Sequence, residues 1–106
     1  MDRFTAQAVA AIAEDSVSGA VEIAEKSAEV LQRLARAEQD APVATLRQQL
    51  LEVGWALISA HPTMAPLVNL VNAVLWKMED QEAPDGARRA VAEVISDFKR
   101  RLRVHE

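Results

Sequence analysis

Proline stands at only four positions, 42, 62, 66 and 84, and the apolar residues between them recur at three- and four-residue spacing. A proline ring removes a backbone donor and disfavours helix in the residue before it, so proline is tolerated in a helix's first turn and excluded from its interior. The prolines therefore mark helix boundaries in the second half of the chain, and the short polar run Glu14-Asp15-Ser16 ends the first helix before them. The first, residues 2–14, would turn Phe4, Ala8, Ala11 and Ile12 inward. Asp15 to Ser18 reads as a turn, after which Ser18 can cap a helix over residues 19–38. That helix carries Ala20, Ile23, Ser27, Val30, Leu31 and Leu34 on one face, and Glu22, Glu25, Lys26, Glu29, Arg33 and Arg36 on the other.

Asp40 precedes Pro42, whose place is a first turn, and Val43, Leu46, Leu50, Val53, Leu57 and Ile58 repeat at helical spacing to Ala60. Pro62 then ends the third helix at His61. Thr63 can cap a fourth helix, residues 64–79, with Pro66 in its first turn. Met64, Leu67, Val68, Leu70, Val71, Val74, Leu75 and Trp76 make it apolar nearly all the way round, the pattern of an element surrounded by others. EAPDG at 82–86 breaks the pattern, and Asp85 can cap a fifth helix with Ala87, Val91, Val94, Ile95, Phe98 and Leu102 inward. With 106 residues, half of them hydrophobic but only 4% aromatic, the chain is the size of one domain with a real core. The fold expected is all-α, a single bundle of about five helices around a central apolar helix, 64–79.

The formal charge of −4 argues against a dedicated nucleic-acid or anionic-membrane surface, and the absence of cysteine removes thiolate metal sites, disulfides and a cysteine nucleophile. No apolar run is long enough to span a bilayer and the N-terminus lacks a secretory pattern, so a cytoplasmic setting is expected. His61 and His105 lack a carboxylate or second histidine at metal-binding spacing and read as solvent-exposed; no cofactor is called for. Glu22, Glu25 and Glu29 are interleaved with Lys26 and Arg33, as on a solvated face with weak ion pairs. Lys99, Arg100, Arg101 and Arg103 could grip phosphates, yet cations also belong in the last turn of a helix, where they complement its dipole. Trp55 and Trp76 read as core or interface residues. Gly54, in the middle of the third helix, costs up to about 1 kcal/mol against alanine and points to a close helix crossing under helix four.

Two features would suit a ligand, although most helix starts bind only water and buried amides mostly serve packing networks. The start at Ser18, Gly19 and Ala20 and the start at Thr63 to Ala65 each present free backbone N–H groups, and two such ends side by side would bind an anion. Asn69 and Asn72 interrupt the apolar fourth helix, and a buried amide needs partners, either in another helix or in a site.

The order of elements, with DSVSGAVEIAEKSAEVL at 15–31 and HPTMAPLVNLVNAVL at 61–75, resembles a known family. It is similar to the N-terminal helical domain of the family uniting the regulatory subunits of translation initiation factor 2B with methylthioribose-1-phosphate and ribose-1,5-bisphosphate isomerases. Gly19-Ala20 corresponds to an Arg-Gly-Ala motif of the isomerases, and Pro62-Thr63 with Asn69 to a joint that is usually Arg-Pro-Thr or Arg-Pro-Ser. Ser18 and His61 stand where the family carries arginines, which removes two cations suited to a sugar phosphate. The resemblance implies ligand contacts at Ser18, Gly19, Ala20, His61, Thr63 and Asn69. It also implies a larger Rossmann-like domain with a catalytic cysteine and aspartate, whereas this chain stops at Glu106. The expectation is one helical domain over residues 1–106 without that second domain, not an enzyme on its own. It would act in domain or subunit association, through self-association or with a Rossmann-like partner chain, and help form a pocket for a sugar phosphate or nucleotide. Apolar surface around Met64, Leu67, Trp55 and Trp76 would then be left for a partner. A helical adaptor without ligand is the alternative; a small nucleic-acid binder using residues 99–103 ranks last.

Overall fold

A computed structural model describes residues 2–37, 42–79, 81 and 83–104, and the regular structure among them is entirely α-helical. The helices are α1 (Arg3–Glu14), α2 (Ala20–Ala37), α3 (Val43–Ala60), α4 (Ala65–Met78) and α5 (Pro84–Val104). Asp2 caps α1 by accepting from the Thr5 amide at 2.7 Å. Proline sets the boundaries of α3 and the start of α4. Pro42 stands just outside α3 rather than in its first turn, His61 closes α3 before Pro62, and Pro66 sits in the first turn of α4. Asp40, Glu82 and His105 lie outside the described residues.

Helix α4 packs between α3 and α5, and α2 lies against all four other helices, with α1 crossing α2 and α3. The shortest dimension, 18 Å, is about two helix diameters, so the bundle is two layers thick. The inner face of α2 explains how one helix serves four neighbours. Ile23, Leu31 and Leu34 supply bulk, while Ala24, Ser27 and Ala28, all fully buried, let adjacent backbones come close. The Ser27 hydroxyl is satisfied inside the helix by donating to the Ile23 carbonyl at 2.8 Å. Leu50, Leu57, Leu67, Leu70, Val91 and Ile95 fill the rest of the centre, each contributing roughly 1.5–3 kcal/mol by burial.

Polar links fix α5 and the α3–α4 pair. Arg88 Nε donates to the Ala35 carbonyl at 2.9 Å, and Lys99 Nζ reaches Gln32 Oε1 at 3.2 Å, so α5 is tied to α2 at both points. Arg47 Nη2 donates to the Met78 carbonyl at 2.9 Å, which sets α3 and α4 antiparallel with 47 opposite 78. Gly54 is the close crossing the sequence indicated: a Cβ there would stand 2.7 Å from Val71 Cγ1.

Several expected inward positions rotate. In α1 the buried residues are Thr5, Val9 and Ile12, whereas Phe4 is 75% exposed and Ala11 faces solvent. Residues 6 and 8–13 of α1 are apolar with no polar interruption, so spacing alone did not define one stripe. Ala20, expected inward on α2, is exposed. One side of α4 is open to solvent: Asn69, Asn72 and Trp76 are exposed, and the amides need no interhelical partner because water supplies it. Of the apolar surface expected bare, Trp55 and Trp76 are exposed, whereas Leu67 is fully buried and Met64 packs on the core; Leu51, Phe4 and Val17 are exposed as well.

The Gly54–Val71 contact generates a test. Gly54→Ala gains helix propensity but drives a methyl into a buried, β-branched side chain, so unfolding by denaturant should show a net loss of about 1–3 kcal/mol. Adding Val71→Ala should recover part of that loss in a double-mutant cycle, whereas additive effects would mean the two residues do not clash.

Candidate functional site

The start of α2 is built by a carboxylate. Asp15 accepts from the amides of Val17 at 3.0 Å and Ser18 at 2.9 Å and pairs with Lys26 Nζ at 2.8 Å. Lys26 also donates to Ser18 Oγ at 3.2 Å, so the Ser18 hydroxyl is drawn to the ammonium rather than acting as the helix cap. Gly19 takes the place before α2, its carbonyl accepting from the Ile23 amide at 3.0 Å. Both Gly19 and Ala20 are exposed. The Lys26 hydrogen bond, then those from Ser18 and Val17, hold the Asp15 carboxyl well below its ordinary value of 3.8. The same bond raises Lys26 above 10.5.

The start of α4 is built by the joint. His61, expected exposed, is partly buried, with Nε2 2.8 Å from the Ile12 carbonyl. A carbonyl only accepts, so Nε2 carries the proton and ties the joint to the last turn of α1. Met64 precedes α4 and makes no side-chain cap; Thr63, expected to cap, is exposed in the joint. Asp85 likewise lies inside the first turn of α5, with the Ala83 carbonyl accepting from the Ala87 amide at 3.0 Å. An acidic residue there complements the helix dipole without capping.

Because α1 ends where the α2 turn begins, and His61 binds that end of α1, the starts of α2 and α4 meet. Val21 and Pro66, each the second residue of its helix, line one open groove of about 390 Å³ with Asn69, Phe98, Arg101 and Leu102. A smaller hollow of about 190 Å³ between α4 and α5 adjoins it, sharing Asn69, Phe98 and Arg101. Among the residues named from the sequence, Asn69 lies in the groove wall. Ser18, Gly19 and Ala20 lie in the segment leading into Val21, and His61 and Thr63 in the joint leading to Pro66. Of the α5 residues, Arg101 belongs to the cationic run that could grip phosphates, while Phe98 and Leu102 read only as inward residues; 98, 101 and 102 fall on one helical face by spacing.

The cationic end of α5 is internally paired. Arg100 Nη2 bonds Asp97 at 2.9 Å, Arg101 also bonds Asp97, and Lys99 faces Glu29 at 3.9 Å as well as Gln32. The bond from Arg100, with help from Arg101, holds the Asp97 carboxyl below its ordinary value. Cations answered by carboxylates make a poor phosphate-gripping surface. Among the described residues, no three His, Asp or Glu side chains gather as a metal site, and no helix is long and apolar enough to cross a membrane.

An all-α domain whose second and fourth helices begin at a shared groove is the class of structure found here. The chain belongs to the initiation factor 2 subunit family, whose sequence profile matches residues 16–105. This is the family indicated by Gly19-Ala20 and by the Pro62-Thr63 joint with Asn69. The structure is similar to the crystal structure of the translation initiation factor eIF-2B of Pyrococcus horikoshii OT3, with a TM-score of 0.75 and 19% sequence identity. The match covers 97% of this chain and 34% of that one, so the chain spans about a third of the archaeal protein's length and shares its helical fold. A search of curated proteins finds no match.

The Asp15–Lys26 pair makes the site's stability pH-dependent. Asp15 has a lower pKa folded than unfolded, so its contribution is complete above about pH 4 and is lost as pH falls through the folded value. The melting-temperature gap between wild type and Asp15→Asn should be constant near neutrality and narrow progressively below about pH 4. A gap that stays constant into strong acid would show that the pair contributes nothing.

Proposed function

We propose that this chain is a non-catalytic helical domain of the initiation factor 2 subunit family, acting in domain or subunit association, with its groove contributing to a pocket for a phosphate-bearing ligand. Its partners would be a Rossmann-like chain or another copy of itself, in a cytoplasmic setting. Without such a partner it would catalyse no isomerisation. The observation that carries the ligand reading is the meeting of two helix starts on one groove. The first-turn amides of α2 carry partial positive charge and unpaired donors, which suits a phosphate oxygen even where cationic side chains are few. At the start of α4 the Met64 and Leu67 amides are already bonded and Pro66 has none, so α4 contributes mainly its dipole.

In this reading the exposed amides at Gly19 and Ala20 and the carboxamide of Asn69 face the ligand, with Ser18 and Thr63 offering hydroxyls. His61 has Nδ1 left to offer, since Nε2 is engaged with Ile12. Arg101, 73% exposed and hydrogen-bonded to Asp97, can turn toward the groove at the cost of a surface ion pair worth little. A ligand-free adaptor is the second reading, and the exposure of Trp55 and Trp76 favours it.

Thermal unfolding with added ribose 1,5-bisphosphate, AMP or inorganic phosphate separates the two. A ligand that binds only the folded state raises stability by about 2.7 kcal/mol at a hundred times its Kd, a shift of many degrees in a domain this small. The expected result is a rise with a sugar phosphate or nucleotide that Asn69→Ala with Arg101→Gln abolishes. An unchanged melting temperature with all three would favour the adaptor.

A further inference from the structure

We infer that Asp97 regulates the groove as a built-in competing anion, holding Arg101 so that a phosphate group binds only by displacing the carboxylate. This rests on the reading of the groove as a phosphate-ligand site and says what limits that site. The run from residue 99 to 103 is rich in cations, yet Asp97 alone answers two of them: Arg100 Nη2 donates to Oδ1 at 2.9 Å, and Arg101 Nη2 donates to Oδ2. Helical spacing makes this possible, since 100 and 101 follow 97 by three and four residues and share its side of α5. The carboxylate also stands in the wall of the site. It lines the hollow of about 190 Å³ between α4 and α5, and Asn69, Phe98 and Arg101 line both that hollow and the groove of about 390 Å³. Among the described residues lining the two, Asp97 and Arg101 alone are ionised, so their charges cancel.

Charge decides how strongly Asp97 competes. An exposed ion pair contributes little, so Arg101, 73% exposed, leaves Asp97 at small cost. The carboxylate itself does not leave. Arg100 still holds it to α5, and its negative charge remains beside the hollow that an incoming anion must approach. A phosphate monoester carries nearly two charges near neutrality and three acceptor oxygens, enough to take the guanidinium from a carboxylate and to accept from the Asn69 carboxamide as well. Protonation does not lift the competition over that range, because the hydrogen bond from Arg100, with help from Arg101, holds the Asp97 carboxyl below its ordinary 3.8. Replacing this one side chain therefore releases a guanidinium and removes a like charge in the same step.

Titration of the full chain with AMP and with inorganic phosphate, followed by backbone amide chemical shifts, tests this. Asp97→Asn should bind both probes about three- to tenfold tighter than wild type with helical circular dichroism unchanged, and Asp97→Glu should bind as wild type does. Adding Arg101→Gln to Asp97→Asn should remove the gain. Asp85→Asn takes the same charge from the first turn of α5, roughly 18 Å along the helix from position 97 and beyond the screening length at physiological salt, and should leave affinity unchanged. An Asp97→Asn chain that binds no tighter, while Arg101→Gln abolishes wild-type binding, overturns the inference and leaves the groove a phosphate site. A gain that Asp85→Asn matches overturns it too, since net charge would then account for the effect. If neither wild type nor Asp97→Asn binds either probe, the inference falls together with the ligand reading.

Discussion

The fold depends on the close burial of α2 among four other helices. A helix of 18 residues can satisfy that many neighbours only if its inner face mixes bulk with smallness, and the run Ile23, Ala24, Ser27, Ala28, Leu31, Leu34 and Ala35 does so. The alanines and the serine bring backbones close, while the branched residues reach between them. Ser27 keeps this face free of an unsatisfied polar group by folding its hydroxyl back onto Ile23. Where α2 ends and begins, other elements hold it from outside: Arg88 and Lys99 of α5 along its length, Asp15 at its start.

The groove is a consequence of that arrangement rather than a separate device. Helix α1 packs on α2 and α3, and its last turn receives His61 from the α3–α4 joint. One hydrogen bond thus brings the joint to the place where α2 begins. Helix α5, fixed along α2, delivers Phe98, Arg101 and Leu102 to close the third side. Ser18 and His61 serve local structure: Ser18 Oγ accepts from Lys26, and His61 Nε2 donates to the Ile12 carbonyl. Anion affinity in this chain would rest on backbone amides more than on side-chain charge.

Helix boundaries were legible because they depend on one residue at a time. Pro42, Pro62 and Pro66 act locally, and the alternating three- and four-residue spacing from Val43 to Leu57 leaves little freedom in which face of α3 turns inward. Gly54 announced a crossing because glycine in mid-helix needs a reason, and Val71 is that reason. Caps were read less well. Ser18 and Thr63 had the right chemistry, but a neighbouring ammonium claimed one and the joint left the other in solvent. The exposure of Asn69 and Asn72 is not legible in the sequence, because an apolar run implies burial on every side, whereas α4 buries only the side toward α2, α3 and α5. The groove itself could not be read from any one segment, since it exists only where three helix ends meet.

Native-state hydrogen exchange tests the central role of α2 directly. If α2 organises the bundle, its amides from Ile23 to Leu34 should exchange only through global unfolding and share the highest protection in the molecule. Exchange of α2 through openings of lower free energy than those of α3 and α4 would contradict it, and would make the α3–α4 hairpin the stable nucleus on which α2 is merely laid.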